Sequence, residues 1–113
     1  MLADMRTFTF FGMTIPEHMH GPVRDYIEHG APPGNFLEAI LENNLTEAVG
    51  RADTENMRNI PALVAYLYNE APAPCWGSPE NVGAWLRMKA EEREFWCQDV
   101  ADLLEEAHEK NGP

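Results

Sequence analysis

The sequence predicts an all-α domain of about five helices, with a long C-terminal helix and an extended N-terminal arm or short strand. Three observations support this fold class. Apolar residues recur at helical spacing along most of the chain. Residues that cap helix N-termini stand directly before these runs, and glycines and prolines separate them. Alternation of apolar and polar residues, which indicates a strand, occurs in one short stretch near the N-terminus.

Length and charge limit the class of protein. The 113 residues are enough for one domain, which we divide into an arm (1–13), a helical body (14–77) and a long C-terminal helix (78–110). Hydrophobic residues make up 44% of the chain, so it can fold around a core. The formal net charge of −11 repels a phosphate backbone. Direct binding to nucleic acid is therefore not expected.

Cysteine usage and hydropathy indicate a cytoplasmic protein. Cys75 and Cys97 form neither a CxxC pair nor another spacing typical of zinc ligands. No basic N-terminal segment precedes an apolar run, and no window of the sequence is long and apolar enough to span a bilayer. We expect a protein with reduced cysteines that works in the cytoplasm without a membrane contact.

The N-terminal arm contains the one alternating stretch. In residues 7–11, Phe8 and Phe10 fall on the same side of an extended chain. No second alternating run follows, and a single strand is unstable in isolation. We expect this arm to lie along the helices or to pair with its copy in another subunit.

A capping box predicts the first helix. Thr14 and Glu17 stand three residues apart, as in the motif whose two side chains satisfy backbone donors at a helix start. The helix is expected to span about 15–29 and to end at Gly30, a residue suited to the left-handed position after a helix. Its apolar face consists of Met19, Val23, Tyr26 and Ile27. A stiff corner, Pro32–Gly34, then redirects the chain.

Three further helices complete the predicted body. Asn44 and Asp53 are the expected caps of the third and fourth helices, and Pro61 is expected to kink the fourth. The predicted inward residues are Phe36, Leu37, Ile40 and Leu41 in the second helix, Leu45, Ala48, Val49 and Ala52 in the third, and Met57, Ile60, Val64, Leu67 and Tyr68 in the fourth. A proline-rich loop, 71–77, is then expected to present Trp76.

The last predicted helix is the longest element. Ser78 followed by Pro79 is a strong start signal, and the helix is expected to run to about Glu109, roughly 46 Å at 1.5 Å per residue. Heptad spacing links Val82, Leu86, Trp96, Val100, Leu103 and Ala107, with interruptions at Lys89 and Arg93. A helix longer than the domain is wide should reach a neighbour. We therefore predict a homo-oligomer joined through the C-terminal helix, in part by Trp96, Val100 and Leu103.

Catalytic and metal sites are not indicated by the sequence. His18 and His20 are two residues apart, so a helix points them to different sides and they cannot share one ion. Ser78 is explained as a cap, and neither cysteine has a histidine near it in sequence. We predict no enzyme activity, no cofactor and no metal. The acidic residues late in the last helix are most simply a solvated face, or alternatively an imitation of a nucleic-acid backbone: Asp99, Asp102, Glu105, Glu106 and Glu109.

A set of polar and aromatic residues at helix ends and loops suggests a ligand site. The predicted ligand-binding residues are Tyr26, Pro33, Gly34, Asn44, Arg51, Tyr68, Asn69 and Trp76. Aromatic side chains can stack on a flat ring, amides can read its edges, and an arginine can neutralise a phosphate. The expected ligand is small and anionic, and it lies near the Pro32–Gly34 corner with Arg51 on its phosphate. Capping and core packing explain about half of the set equally well.

Several motifs resemble a known group of proteins. They are Ile15–Met19 (IPEHM), Tyr26–Gly30 (YIEHG), Pro33–Leu37 (PGNFL), Asn43–Leu45 (NNL), Arg51–Asp53 (RAD), Tyr66–Asn69 (YLYN) and Trp76–Ser78 (WGS). Over about residues 14–86 the chain resembles a family of small proteins encoded by tailed bacteriophages and prophages. This resemblance implies a phage-encoded accessory protein that works in the cytoplasm of the host bacterium.

Two functions follow from this setting, and an enzyme that acts on a host signal is a third, weaker option. Small phage accessory proteins without catalytic residues commonly act by stoichiometric binding, which is an argument by analogy. The favoured hypothesis is sequestration of a small nucleotide-derived ligand, such as a host immune signal. The alternative is an acidic protein that inhibits a host defence or nucleic-acid enzyme by covering its basic surface, as anti-CRISPR proteins and DNA mimics do. The ligand set favours the first hypothesis, and the charge of −11 favours the second.

Overall fold

The computed structural model describes residues 4–98 of the protein, where six α-helices follow a short antiparallel hairpin. The strands are β1 (Thr9–Phe10) and β2 (Met13–Thr14), and the helices are α1 (Glu17–His29), α2 (Asn35–Leu41), α3 (Leu45–Arg51), α4 (Thr54–Glu70), α5 (Pro79–Arg87) and α6 (Ala90–Cys97). A 3₁₀ turn, Ala73–Cys75, connects α4 to α5. The prediction of a mostly helical fold is confirmed, with six helices in the described range instead of five.

The N-terminal strand pairs within its own chain. The sequence predicts no partner strand there, and this prediction is wrong, because β1 and β2 are antiparallel with Thr9 opposite Thr14. The turn between them places Phe11 and Gly12 at positive φ, 50° and 80°. Such a turn matches the twist of a hairpin, but its usual sequence signal is Asn-Gly or Asp-Gly. Phe11 stands where the Asn would be, so the sequence conceals the turn.

The hairpin packs on α4, as one of the two alternatives for the arm predicts. The Phe8 ring meets the Tyr66 ring edge to face, with 5.3 Å between centroids. Thr14 pairs with Thr9 as part of β2, and its N–H donates to Asn59 Oδ1 (3.0 Å). Its predicted role as a helix cap is therefore wrong. Pro16 occupies the N-cap position of α1, without a side-chain hydrogen bond. Proline limits the conformations of the chain where it enters α1.

The other helix boundaries that local signals predict are confirmed. Gly30, with φ of 67°, ends α1 in the left-handed region. Three predicted N-caps accept the expected backbone hydrogen bonds: Asn44 Oδ1 from the Glu47 N–H (3.2 Å), Asp53 Oδ1 from the Asn56 N–H (2.7 Å) and Ser78 Oγ from the Asn81 N–H (3.1 Å). Each cap satisfies a backbone donor that the helix itself leaves without a partner.

One cluster of apolar side chains forms the core. Trp85, Tyr26 and Tyr66 are its largest fully buried side chains. The buried residues among those predicted to face inwards include Phe36, Leu37, Ile40, Leu41, Ala48, Ile60 and Leu67. Leu45 and Val49 of α3 are exposed instead, which corrects the prediction for that helix. α3 is only seven residues long and buries a single alanine, so it presents a narrow face to the core.

The buried face of α4 also differs from the prediction. Asn56, Ile60, Leu63 and Leu67 form a buried stripe at i, i+4, i+7 and i+11, and Ala62, Ala65 and Tyr66 are buried as well. Met57, Val64 and Tyr68 belong to a second stripe one residue further along the helix, and they are exposed. Because the second stripe is as apolar as the first, periodicity does not select between them.

The long C-terminal helix is interrupted in the described range. α5 ends at Arg87 and α6 begins at Ala90, since Met88 and Lys89 are extended, with ψ of 147° and 151°. The prediction of one continuous helix from residue 79 is therefore wrong for the described range, where residues 88 and 89 separate two helices. The predicted helix beyond that point lies outside the described residues, together with Val100, Leu103, Ala107, Asp99, Asp102, Glu105, Glu106 and Glu109.

Candidate interaction surface

Side chains from α5 and α6 meet the C-terminal end of α1. The Trp85 indole N–H donates to the backbone oxygens of Tyr26 (3.0 Å) and Ile27 (3.2 Å). The Cys97 thiol donates to the Ile27 oxygen (3.5 Å). The Ile27 oxygen lies in the last turn of α1, where carbonyl groups lack a partner within the helix, and these side-chain donors supply one. The Tyr26 oxygen also accepts the Gly30 N–H (2.9 Å). This junction fixes α5 and α6 on the body of the fold.

Arg93 lies at the centre of the same junction. Its Nη1 donates to the His29 oxygen at the end of α1 (3.2 Å), and its Nε donates to the Trp85 oxygen in α5 (3.1 Å). Its Nη2 donates to the Met88 oxygen directly after α5. Arg93 is only 8% exposed. One guanidinium therefore closes the ends of two helices, where a positive charge is favourable, and this explains the break between α5 and α6.

The sequence contains a weak signal for this role. Arg93 interrupts the apolar seam of the predicted last helix. An arginine at a position that otherwise packs into a core must either extend to solvent or find buried acceptors. Here it finds three carbonyl groups. The His29 oxygen lies 64 positions away in sequence, so the acceptors themselves are not predictable from spacing.

Gly30 leaves the space that the guanidinium occupies. A Cβ atom on Gly30 would lie 2.5 Å from Arg93 Cζ and 2.6 Å from Arg93 Nε. The φ of 67° already favours glycine at this position. Gly30 therefore has two structural roles, because it ends α1 and leaves space for Arg93.

Replacing Gly30 with alanine is expected to lower the free energy of unfolding by about 1 to 3 kcal/mol. The left-handed backbone disfavours a Cβ atom, and the methyl group would also displace Arg93. Urea denaturation measures the loss. Gly50→Ala is the matched control, because Gly50 lies within α3 with open space around it and alanine there should raise stability by about 0.5 to 1 kcal/mol. Equal effects of the two variants would contradict the role of Gly30.

With Arg93 facing inwards, α6 presents glutamates and aromatic rings outwards. Glu91 and Glu92 are exposed and precede Phe95 and Trp96 by one helical turn. Phe95 is 56% exposed and Trp96 is 47% exposed, and their rings meet edge to face with 5.9 Å between centroids. We call these four residues the acidic aromatic face.

Three features of residues 4–98 bear on small-molecule chemistry: a surface depression, the placement of metal-binding side chains and the two thiols. A shallow depression of about 310 Å³ at the start of α4 is lined by Ala52, Asp53, Thr54, Met57 and Arg58. No group of three His, Cys, Asp or Glu side chains within residues 4–98 is placed to hold a metal ion. Burial raises the pKa of the Cys75 thiol to about 12, and it also raises the pKa of the Cys97 thiol. Both thiols therefore keep their protons near neutral pH, which disfavours nucleophilic chemistry.

Three of the predicted ligand residues use their polar groups in hydrogen bonds to other residues of the same chain. Tyr26 is fully buried, and its hydroxyl donates to the Cys75 oxygen (2.8 Å). Asn44 caps α3, and Asn69 Nδ2 donates to the Ala65 oxygen one turn earlier (2.8 Å). These are the internal uses that capping and core packing predict for such residues. Tyr26 in particular does not expose its ring to a ligand in this structure.

Arg51 and the Pro32–Gly34 corner lie together. Arg51 Nη1 donates to the Asn35 oxygen at the start of α2 (3.3 Å), and Arg51 Nη2 pairs with a carboxylate oxygen of Glu47 (3.0 Å). Within the corner, Pro33 is half-buried and Gly34 is exposed. This part of the predicted ligand set is thus brought to one place.

Tyr68 and Trp76, the remaining residues of the set, lie on other elements. Tyr68 is exposed near the end of α4. Trp76 follows the 3₁₀ turn, and its half-buried ring packs against the core while its backbone oxygen accepts a hydrogen bond from Asn81 Nδ2 (2.9 Å). The predicted set is therefore spread over α1, α3, α4 and two loops.

Comparison of the chain with known protein families, with curated proteins and with solved structures finds no match. Among the helices of residues 4–98, none is long and apolar enough to cross a membrane. Function is therefore inferred from the geometry of the described residues.

Proposed function

We propose that the protein acts by stoichiometric binding, and that the acidic aromatic face of α6 binds a basic surface of another protein. The observation that carries this proposal is the exposure of Phe95 and Trp96 beside Glu91 and Glu92 on an anchored helix. Arg93 supplies the anchor, since it joins α6 to the ends of α1 and α5. The partner surface would have an apolar cleft bordered by lysine or arginine side chains.

The two aromatic rings supply affinity in this proposal. A few aromatic and arginine side chains dominate the energetics of most protein interfaces, and rings that are half exposed on the free protein have area left to bury. The Arg93 contacts and the hydrogen bond from Cys97 to α1 hold the α6 helix that carries the rings in position before binding. Less conformational entropy is then lost when the partner binds.

The acidic side chains supply selectivity. Residues 4–98 contain 14 acidic and seven basic side chains. This excess attracts a basic surface from a distance and repels an acidic one. Glu91 and Glu92 lie one helical turn before the two rings, so the attraction acts where the rings would dock.

The resemblance to phage proteins suggests a class of partner. Enzymes that hold nucleic acid, including host defence nucleases, need basic surfaces to bind phosphates. We therefore propose a phage-encoded accessory protein that covers such a surface in the host cytoplasm. Self-association through Trp96 stays a prediction, because Val100 and Leu103 lie outside the described residues.

Sequestration of a small nucleotide-derived ligand is the second candidate. The observation that favours it is the position of Arg51 beside the Pro32–Gly34 corner. The pair with Glu47 partly neutralises Arg51, and the burial of Tyr26 removes one predicted stacking ring. A panel of cyclic and linear nucleotides tests this candidate. An increase in melting temperature that Arg51→Ala removes would favour it over a protein partner.

Substitution of the two rings tests the first proposal. The double variant Phe95→Ala, Trp96→Ala is expected to bind the partner that wild-type protein captures from host lysate about 100-fold more weakly. Phe11→Asn is the matched control, because Phe11 is an exposed aromatic residue on the hairpin and asparagine tolerates its positive φ. Wild-type protein and the control should capture the same basic partner. Equal capture by the double variant would contradict the proposal.

A further inference from the structure

The two rings of the acidic aromatic face stand almost perpendicular to each other. The planes of Phe95 and Trp96 make an angle of 81°. In such an edge-to-face pair, the edge of one ring lies against the face of the other, so the pair itself does not use every ring face. About half of each side chain is exposed. α6 therefore offers flat ring surface on which a planar group of another molecule can stack.

The glutamates of α6 are without a cation in the part of the chain that the structure describes. Glu91, Glu92 and Glu94 form no ion pair among residues 4–98, whereas Glu47 of α3 pairs with Arg51 (3.0 Å). Carboxylates one helical turn from aromatic rings combine the two groups that bind an organic cation, one through its charge and the other through its ring face. The unpaired charges of α6 can therefore be neutralised by another molecule.

None of the cations that flank or belong to α6 pairs with its glutamates in the described range. The Arg93 guanidinium is buried against three backbone oxygens. Arg87 Nη1 lies over Gly83 in α5, where a Cβ atom would be 3.1 Å from it. Lys89 is exposed and forms no ion pair within residues 4–98. The fold thus uses both arginines elsewhere and leaves the acidic aromatic face open to a cation of a partner.

We propose that the partner surface presents an arginine whose guanidinium stacks on the Trp96 indole and pairs with Glu92. This inference rests on the proposed binding role of the acidic aromatic face and specifies the side chain that the face recognises. Glu92 and Trp96 are four positions apart in α6, so their Cβ atoms lie about 5 to 6 Å from each other on one side of the helix. A guanidinium is planar, and its N–H groups point outwards in its own plane. It can therefore lie on the indole while two of these groups donate to the Glu92 carboxylate.

Arginine satisfies this geometry better than lysine does. The guanidinium is flat and weakly hydrated, whereas the lysine ammonium is compact and strongly hydrated. Among aromatic side chains, tryptophan attracts a cation most strongly, which favours Trp96 over Phe95 as the stacking ring. We expect a peptide with arginine to bind about tenfold more tightly than the same peptide with lysine. An arginine held in this way no longer binds a phosphate, which agrees with a partner that uses basic side chains to hold nucleic acid.

Nuclear magnetic resonance of the full chain with two short peptides tests this contact. The peptides are acetyl-Gly-Arg-Gly-Arg-Gly-amide and its lysine counterpart, and the indole N–H signal of Trp96 is assigned with Trp96→Phe. The arginine peptide is expected to shift this signal with a dissociation constant of about 1 to 10 mM, and the lysine peptide should bind about tenfold more weakly. Glu92→Gln should weaken binding of the arginine peptide about threefold.

Glu94→Gln is the matched control for Glu92→Gln. It removes the same charge from an exposed position of α6, but it lies two residues before Trp96 and so on another side of the helix. This control should bind the arginine peptide as wild-type protein does. Circular dichroism establishes that each variant is folded.

Three results would overturn the arginine contact. The first is equal affinity for the two peptides, because charge alone would then account for binding. The second is an equal loss with Glu92→Gln and Glu94→Gln, which would place the cation elsewhere on α6. The third is a Trp96 signal that neither peptide moves at about 10 mM. The proposed function is judged separately, by capture of the partner with the variant Phe95→Ala, Trp96→Ala, so each idea can fail without the other.

Discussion

Arg93→Leu is expected to lower the free energy of unfolding by about 3 to 5 kcal/mol. Leucine donates no hydrogen bonds, so the oxygens of His29, Trp85 and Met88 would lose the Arg93 donors together. A buried polar group without a partner costs about 1 to 3 kcal/mol, and part of that cost is relieved where water can enter. The favourable charge at the ends of α1 and α5 would also be lost. Equilibrium denaturation in urea measures the change.

Arg87→Leu is the matched control for Arg93→Leu. Arg87 is exposed at the end of α5, and its replacement should change stability by less than about 0.5 kcal/mol. Arg93→Lys should lose most of the same stability as Arg93→Leu, because one ammonium group lacks the planar fork of the guanidinium. If Arg93→Leu were as stable as Arg87→Leu, Arg93 would not hold the junction of the three helices.

Trp85→Ala should destabilise the fold by about 3 to 5 kcal/mol. Trp85 is fully buried, so alanine would leave a cavity at the centre of the core. The substitution also removes the indole donor to the Tyr26 and Ile27 oxygens. Thermal and urea denaturation provide the measurement. Trp96→Ala is the control on the acidic aromatic face, with an expected cost below about 1 kcal/mol. Similar losses for the two tryptophans would contradict their different placement.

Helix boundaries are predictable from this sequence where the signal is local. Asn44, Asp53 and Ser78 each accept a hydrogen bond from the backbone three residues later. Gly30 ends α1 through its own backbone conformation. These contacts depend on a few neighbouring residues, so the local sequence contains what is needed to recognise them.

The buried face of α4 and the end of α5 depend on distant parts of the chain. α4 has two apolar stripes one residue apart, and only the rest of the core decides that the stripe with Leu63 is buried and the stripe with Val64 is exposed. The break after α5 depends on the contact of Arg93 with the end of α1. The apolar periodicity of the predicted last helix does not show that Arg93 contacts the end of α1.

Whether a candidate binding residue is exposed also depends on distant parts of the chain. Tyr26 and Trp96 are both amphipathic aromatic residues, and the residue type is compatible with a core position or a binding surface. The fold buries Tyr26 against the Cys75 oxygen and leaves Trp96 half exposed. The acidic aromatic face becomes recognisable from the spacing of Glu91 and Phe95 only when the inward direction of Arg93 is known.

A calorimetric titration of the captured partner tests the binding role of the acidic aromatic face most directly. We expect one partner site per α6 and a dissociation constant that rises about tenfold or more between about 50 and about 300 mM salt. The variant Glu91→Gln, Glu92→Gln should bind more weakly at low salt and respond less to added salt, because two of the attracting charges are gone. An affinity that neither salt nor these substitutions change would contradict a basic partner surface at α6.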